Sequence, residues 1–135
     1  MDETEGIEIY DSFEDMGLKD EVLRGIYGYG FEKPSEIQKR AIVKIMEGKD
    51  IIAQAQSGTG KTATFTIGML ESLDLSSNTN QVLIMSHTRE LSQQIHNVIN
   101  QISKYIKVNV NLSVGGISVT DNISSLRKRP HVIIG

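Results

Sequence analysis

The stretch Ala55-Gln56-Ser57-Gly58-Thr59-Gly60-Lys61-Thr62 constrains this chain more than any other, because the apolar run Ile51-Ile52-Ala53 leads into it and a helix-forming sequence follows. Gly58 and Gly60 carry no Cβ, so the backbone there can curl until successive N–H groups converge on one anion. A helix starting at Lys61 adds its positive N-terminal end at the same point. Lys61 then reaches the β- and γ-phosphates of a nucleotide, and the Thr62 hydroxyl can ligate Mg²⁺. The usual pattern opens with glycine, and here Ala55 stands in that place. Gly/Ser/Thr clusters between apolar segments also make plain loops, but strand before, Gly-Lys-Thr within and helix after is the context a phosphate cradle requires.

On either side of this stretch the apolar periodicity alternates between helix and strand. Leu18, Val22, Leu23, Ile26 and Tyr27 recur at helical intervals until Gly28 and Gly30, and Pro34 opens a second helix whose stripe is Ile37, Ala41, Ile42, Ile45 and Met46. A short strand over Asp50 to Gln54 feeds the glycine loop, and a helix from Lys61 to Leu73 follows it. Val82-Leu83-Ile84-Met85 is apolar throughout, which predicts a parallel strand covered on both faces. A long helix starts at Thr88 and ends near Tyr105, with Leu91, Ile95, Val98, Ile99 and Ile102 as its packing face. Val108, Val110, Leu112 and Val114 alternate with Asn109, Asn111 and Ser113, a strand with one wetter face. Ser118 and Asp121 start a short helix through Leu126, and His131 to Ile134 is a last strand. Two helices and then β-α-β-α-β-α-β predict an α/β fold: a parallel sheet in a three-layer arrangement.

Residues 1–12 are acidic and lack periodicity, which predicts a flexible tail before a single domain over residues 13–135. The whole chain carries a net charge of −3. Residues 1–21 hold nine acidic groups and one Lys, whereas residues 22–135 hold 13 basic and eight acidic ones, so the body is positive. That permits a polyanionic partner without demanding one. The absence of Cys excludes disulfides, thiolate zinc sites and cysteine nucleophiles. With no apolar run of membrane-spanning length and an acidic N-terminus, the sequence predicts no membrane association and a cytoplasmic or nuclear location. The three histidines have no ligand spacing, and Met16, Met46, Met69 and Met85 read as core filler.

Gln38 admits two roles. Ser35-Glu36-Ile37-Gln38 matches a capping box, in which the Gln side chain bonds back to the helix start. The same carboxamide could pair with N6 and N7 of adenine, since it offers both donors and an acceptor. Arg127-Lys128-Arg129 could serve RNA, and it equally suits the negative end of a helix.

Three blocks occur in one order and spacing: Gly30 to Gln38, Ala55 to Thr62, and Thr88-Arg89-Glu90-Leu91. Together they resemble the N-terminal RecA-like domain of DEAD-box ATP-dependent RNA helicases, closest in wording to the initiation factor 4A subfamily, over residues 13–135. The resemblance implies an ATP-binding hydrolase that uses ATP and Mg²⁺ and binds RNA mainly through its sugar-phosphate backbone. It further implies a role such as translation initiation, contact with a scaffold protein, and a monomeric state. It identifies residues 30–38 as a Q motif, assigning Gln38 to adenine, bringing Lys33 near the nucleotide and setting Phe13 close to the base. Ala55, Gln56, Ser57, Gly58, Thr59, Gly60, Lys61 and Thr62 would bind the nucleotide, with Lys61 and Thr62 catalytic and Thr62 on Mg²⁺. Thr88, Arg89 and Glu90, with Gly115 and Gly116, would line the RNA path. Where the family usually has Pro, this chain has His87.

The resemblance also implies continuation past Gly135 into a Thr-Pro-Gly-Arg turn, an Asp-Glu-Ala-Asp box, a Ser-Ala-Thr segment and a second RecA-like domain. None of these lies within the 135 residues, so the expectation is that this stretch alone does not hydrolyse ATP. Two other readings stay open: a non-catalytic truncated RNA- or partner-binding module, and another P-loop NTPase.

Overall fold

The computed structural model describes residues 8–51, 60–113 and 129–135. After a 3₁₀ turn at Glu14–Met16 come α1 (Asp20–Tyr29), α2 (Glu36–Met46), α3 (Lys61–Ser72), β1 (Val82–Ile84), α4 (Arg89–Ile102), β2 (Val110–Leu112) and β3 (Val132–Ile134). Most of the expected strand over Asp50 to Gln54, the loop residues Ala55 to Thr59, the Gly115-Gly116 pair and the short helix from Ser118 to Leu126 lie outside the described residues.

Helix ends fall where local chemistry puts them. Gly30, at φ 112°, closes α1 by donating its N–H to the carbonyls of Ile26 and Tyr27, a left-handed conformation that suits glycine. Helix α4 stops at Ile102, three residues short of the expected end, where the Ser103 N–H donates to Ile99 O at 2.9 Å.

The three strands form a parallel sheet in the order β1-β3-β2, with Val132 aligned to both Val82 and Val110. The period of two puts Val82, Ile84, Val132, Ile134, Val110 and Leu112 on one face, and this face packs against the core built from Val22, Ile26, Ile42, Ile67, Leu70, Ile95, Ile99 and Ile102. The other face behaves differently from expectation. Leu83 is 66% exposed and Met85 81% exposed, so β1 is uncovered there and Met85 is not core filler. Asn111, on the face expected to be wetter, is buried, and its Oδ1 accepts from the Ser113 hydroxyl at 2.5 Å.

Two glycines set the helix spacing. A Cβ on Gly68 would lie 2.6 Å from the Ile45 side chain, so α3 approaches α2 closely there. A Cβ on Gly25 would lie 1.7 Å from the Ile102 carbonyl oxygen, which fixes the crossing of α1 over the end of α4. Close backbone approach of this kind requires the absent side chain.

Candidate functional site

Helix α3 begins at Gly60, whose φ of 87° is left-handed backbone that glycine enters without strain. Its carbonyl accepts from the Thr64 N–H at 2.9 Å and the Thr64 hydroxyl at 2.7 Å. Lys61 is exposed and Thr62 half-buried in the first turn, with nearby N–H groups that an intrahelical bond does not reach.

Across from this helix start lies the start of α2. Ser35 and Gln38 face each other as a capping box, and the well-formed bond is that from Ser35 N–H to Gln38 Oε1 at 2.9 Å. The other end of the same carboxamide, Nε2, donates to Gly60 O at 3.5 Å. Gln38 is 1% exposed, so both capping and contact with the glycine loop use one buried side chain. The Ser35 hydroxyl oxygen is buried with no hydrogen-bond partner among the described residues.

A cleft of about 610 Å³ opens between these two helix starts and α4. Lys33, Ser35 and Gln38 line it from the first block, Gly60, Lys61, Thr62 and Ala63 from α3, and Leu91, Gln94 and Val98 from α4, with Tyr29 and Phe31 closing the remaining side. Among the described residues two lysines and no carboxylate line it, so their field favours an anion. The aromatic pair, with ring centroids 5.0 Å apart and planes tilted by 39°, offers an apolar wall. The volume lies within the range of small-molecule clefts, roughly 300–1,000 Å³.

Phe13 does not reach this cleft. It is completely buried, with its ring centroid 6.5 Å from Phe31 and 6.2 Å edge-on from Tyr27. Its ring packs against Phe31, which lines the cleft wall. The turn carrying Phe13 is further tied to α1 by the Tyr27 hydroxyl, which donates to the Glu14 carboxylate. That bond, with some desolvation and the Glu14 charge, pushes the Tyr27 hydroxyl up to about 12, and the same bond holds Glu14 below its ordinary value.

Thr88 caps α4, its Oγ1 accepting from the Leu91 N–H at 3.0 Å. Thr88, Arg89 and Glu90 are exposed just past the carboxyl end of β1. Backbone bonds from Ser86 N–H to Gly135 O at 3.2 Å and from Gly135 N–H to Ile84 O at 2.9 Å hold that edge of the sheet. Leu91, one residue on, already faces the cleft.

Tyr29, Phe31, Leu91, Gln94 and Val98 were not singled out as site residues by the sequence. Leu91 and Val98 follow the helical stripe and so read as packing residues. For Tyr29 and Phe31 a signal did exist: two aromatics alternate with Gly28 and Gly30 a few residues before Pro34, a poor pattern for a helix interior.

A parallel sheet with helix starts turned toward an aromatic-walled cleft is the architecture of a RecA-like domain. The chain belongs to the DEAD/DEAH box helicase family, whose model matches residues 35–135. It is 52% identical over 132 residues to "ATP-dependent RNA helicase FAL1" of Meyerozyma guilliermondii, covering 98% of this chain and 33% of that protein. It is also 52% identical over 128 residues to "Eukaryotic initiation factor 4A" of Drosophila melanogaster, covering 95% and 32%. Among solved structures, a DEAD box protein from the hyperthermophile Methanococcus jannaschii superposes with a TM-score of 0.88 at 31% identity, over 94% of this chain and 35% of that one. The RNA-helicase Prp28 from Chaetomium thermophilum bound to ADP gives 0.81 at 29% identity, over 93% and 32%. The chain therefore spans about a third of the length of the relatives it matches.

Proposed function

We propose that these residues form the nucleotide grip and part of the RNA path of an ATP-dependent DEAD-box RNA helicase resembling initiation factor 4A. The observation that carries this reading is the convergence of Gln38, Gly60, Lys61 and Thr62, from two separate blocks of sequence, on one cleft. Gln38 reads the adenine edge with its carboxamide, and Phe31 with Tyr29 supplies a wall for the base. Lys33 and Lys61 meet the phosphates, and the free N–H groups at the start of α3 complete the cradle together with Ala55, Gln56, Ser57, Gly58 and Thr59. Two features fit Mg²⁺-ATP here: the Ser35 hydroxyl in the cleft lining, buried with no hydrogen-bond partner among the described residues, and Thr62 beside Lys61 at the cleft wall. Mg²⁺, held through the Thr62 hydroxyl, would neutralise phosphate charge.

Thr88, Arg89 and Glu90, with Gly115 and Gly116, contact the RNA backbone. Helix α4 bears both this segment and the cleft residues Leu91, Gln94 and Val98, so nucleotide and RNA share one rigid element. The name of the FAL1 relative, an ATP-dependent RNA helicase, supports RNA as the substrate class and ATP as the cofactor. A scaffold protein, a monomeric state and a cytoplasmic or nuclear location complete the reading.

The test is binding of a fluorescent ADP or ATP analogue to the 135-residue chain, with phosphate release measured in parallel. Binding that falls about tenfold or more in Lys61→Ala, without turnover by the parent chain, is the expected result. RNA-stimulated phosphate release by this chain, lost in Lys61→Ala, would overturn the assignment of the grip alone to these residues. In a longer form that hydrolyses ATP, Gln38→Ala is expected to lose discrimination of ATP over GTP; unchanged discrimination leaves Gln38 with capping only.

A further inference from the structure

The buried residues of α4 are Ser92, Ile95, Ile99 and Ile102, and Ser92 alone among them is polar. It is 2% exposed. Alanine would fill such a position with better helix propensity, so the hydroxyl needs a destination. A serine inside a helix ordinarily bonds back to the carbonyl four residues earlier. Here that carbonyl, Thr88 O, takes the Ser92 N–H at 3.1 Å, and the hydroxyl leaves the helix. It pairs with the Ser86 hydroxyl and stands 3.5 Å from Gly135 O.

Ser86 extends the chain of contacts. Its hydroxyl reaches Thr88 O at 3.2 Å, and its N–H donates to the same Gly135 carbonyl at 3.2 Å. Each hydroxyl has one proton to give and lone pairs with which to accept. Two arrangements therefore satisfy the pair: donation from Ser92 to Ser86 to Thr88 O, or from Ser86 to Ser92 to Gly135 O. Both tie the first turns of α4 to the residues that follow β1 and β3. The link from β1 to α4, Met85-Ser86-His87, contains neither proline nor glycine, so residue type does not fix its backbone. Met85 and His87 are exposed, which leaves half-buried Ser86 to anchor it.

The segment held in this way is Thr88 to Glu90. Arg89 and Glu90 precede the first intrahelical bond, so their N–H groups project from the helix start, and their aim depends on how α4 sits against the sheet. We propose that Ser92, through Ser86 and Gly135 O, is a positioning residue for RNA, setting the angle at which Thr88, Arg89 and Glu90 meet the phosphate backbone. This inference rests on the assignment of that segment to RNA made above. Being buried, Ser92 acts through its neighbours and does not touch RNA. A role in packing alone needs no hydroxyl, and Ala would serve it as well.

The test measures oligouridine binding by anisotropy and amide hydrogen exchange on the 135-residue chain, on Ser92→Ala, Ser86→Ala and their double variant, and on Ser86→Thr and Arg89→Ala. In Ser92→Ala, RNA binding is expected to weaken about fivefold, the scale of coupling within one hydrogen-bond network. Exchange at the Ser86 and Leu91 amides should quicken while Ile99 and Ile102 stay unchanged. The double variant should lose less than the product of the two single losses, and Ser86→Thr, which keeps the hydroxyl, should bind within about twofold of the parent. RNA binding unchanged in Ser92→Ala but lost in Arg89→Ala overturns the positioning role and leaves the RNA path standing. Absence of RNA binding by the parent, or no effect of Arg89→Ala, overturns the RNA reading and the positioning role with it. Exchange that quickens equally along all of α4, or independent losses in the double variant, assigns the serines to stability alone and also overturns the proposal.

Discussion

Gln38 and Gly60 touch across 22 positions of sequence: the Gln38 Nε2 donates to the Gly60 carbonyl at 3.5 Å, and a Cβ added to Gly60 would lie 2.5 Å from that nitrogen. The start of α2 and the start of α3 are therefore held in register by one buried carboxamide. A change at either position is felt at the other.

Gly60→Ala combines two penalties. Its φ of 87° is left-handed, which costs a non-glycine residue about 1–2 kcal/mol, and the new methyl must displace Gln38. We expect a destabilisation at or above that range by urea denaturation, and nucleotide binding weakened more than the stability loss alone explains.

Gly25→Ala and Gly28→Ala, three residues apart on α1, are expected to have opposite outcomes. At Gly25 the added Cβ meets backbone, the Ile102 carbonyl oxygen at 1.7 Å, and nothing flexible can yield. Loss of about 3 kcal/mol or more, or failure to fold, is the expected result. At Gly28 the nearest atom is Tyr105 Cε2 at 3.9 Å, so the better helix propensity of Ala should add about 0.5–1 kcal/mol. Paired melting curves check both.

The Tyr27–Glu14 bond predicts a stability window in pH. Tyr27 rises from 10.0 to about 12 on folding, so its contribution is complete below the unfolded value and is lost as pH climbs through the folded one. Glu14 moves down from 4.5, so its contribution is present above that value and is lost as pH falls through the depressed one. The stability difference between the parent chain and Tyr27→Phe should be flat from about pH 6 to pH 9 and shrink outside that range. Chemical denaturation across pH measures it, and a difference that grows above pH 10 would contradict the bond.

Thr88→Ala should remove the cap on α4 and cost about 1 kcal/mol, with Thr88→Ser restoring most of it. RNA binding that falls in Thr88→Ala and returns in Thr88→Ser separates a hydroxyl role from one of the side-chain methyl. Thermal melting and RNA titration on the same samples give both numbers.

Local structure was legible in the residues. Pro34 and Gly30 mark the boundary between α1 and α2, the Gly60-Lys61-Thr62 step marks the start of α3, and the three-and-four spacing from Leu91 to Ile102 marks α4. Each of these depends on backbone conformation or on one face of one element, and both are encoded within a few residues. The family blocks likewise carry their chemistry in short runs, so Gln38, Lys33, Lys61 and Thr62 could be named and then found along one cleft.

What the sequence could not supply was the partner of each face. Phe13 stands with Tyr10 in an acidic stretch without periodicity, and only the fold packs it against Phe31 and Tyr27. Leu83 and Met85 share an apolar run with Val82 and Ile84, yet the pleat sends Leu83 away from the helical core. Leu91 and Val98 carry the same helical period as Ile95 and Ile99, but the crossing of α4 over α3 turns the first pair to the cleft and the second into the core. Periodicity determines that a face is apolar. Which atoms cover it is decided by the angles and distances at which elements from distant parts of the chain meet, and those exist only in the folded protein.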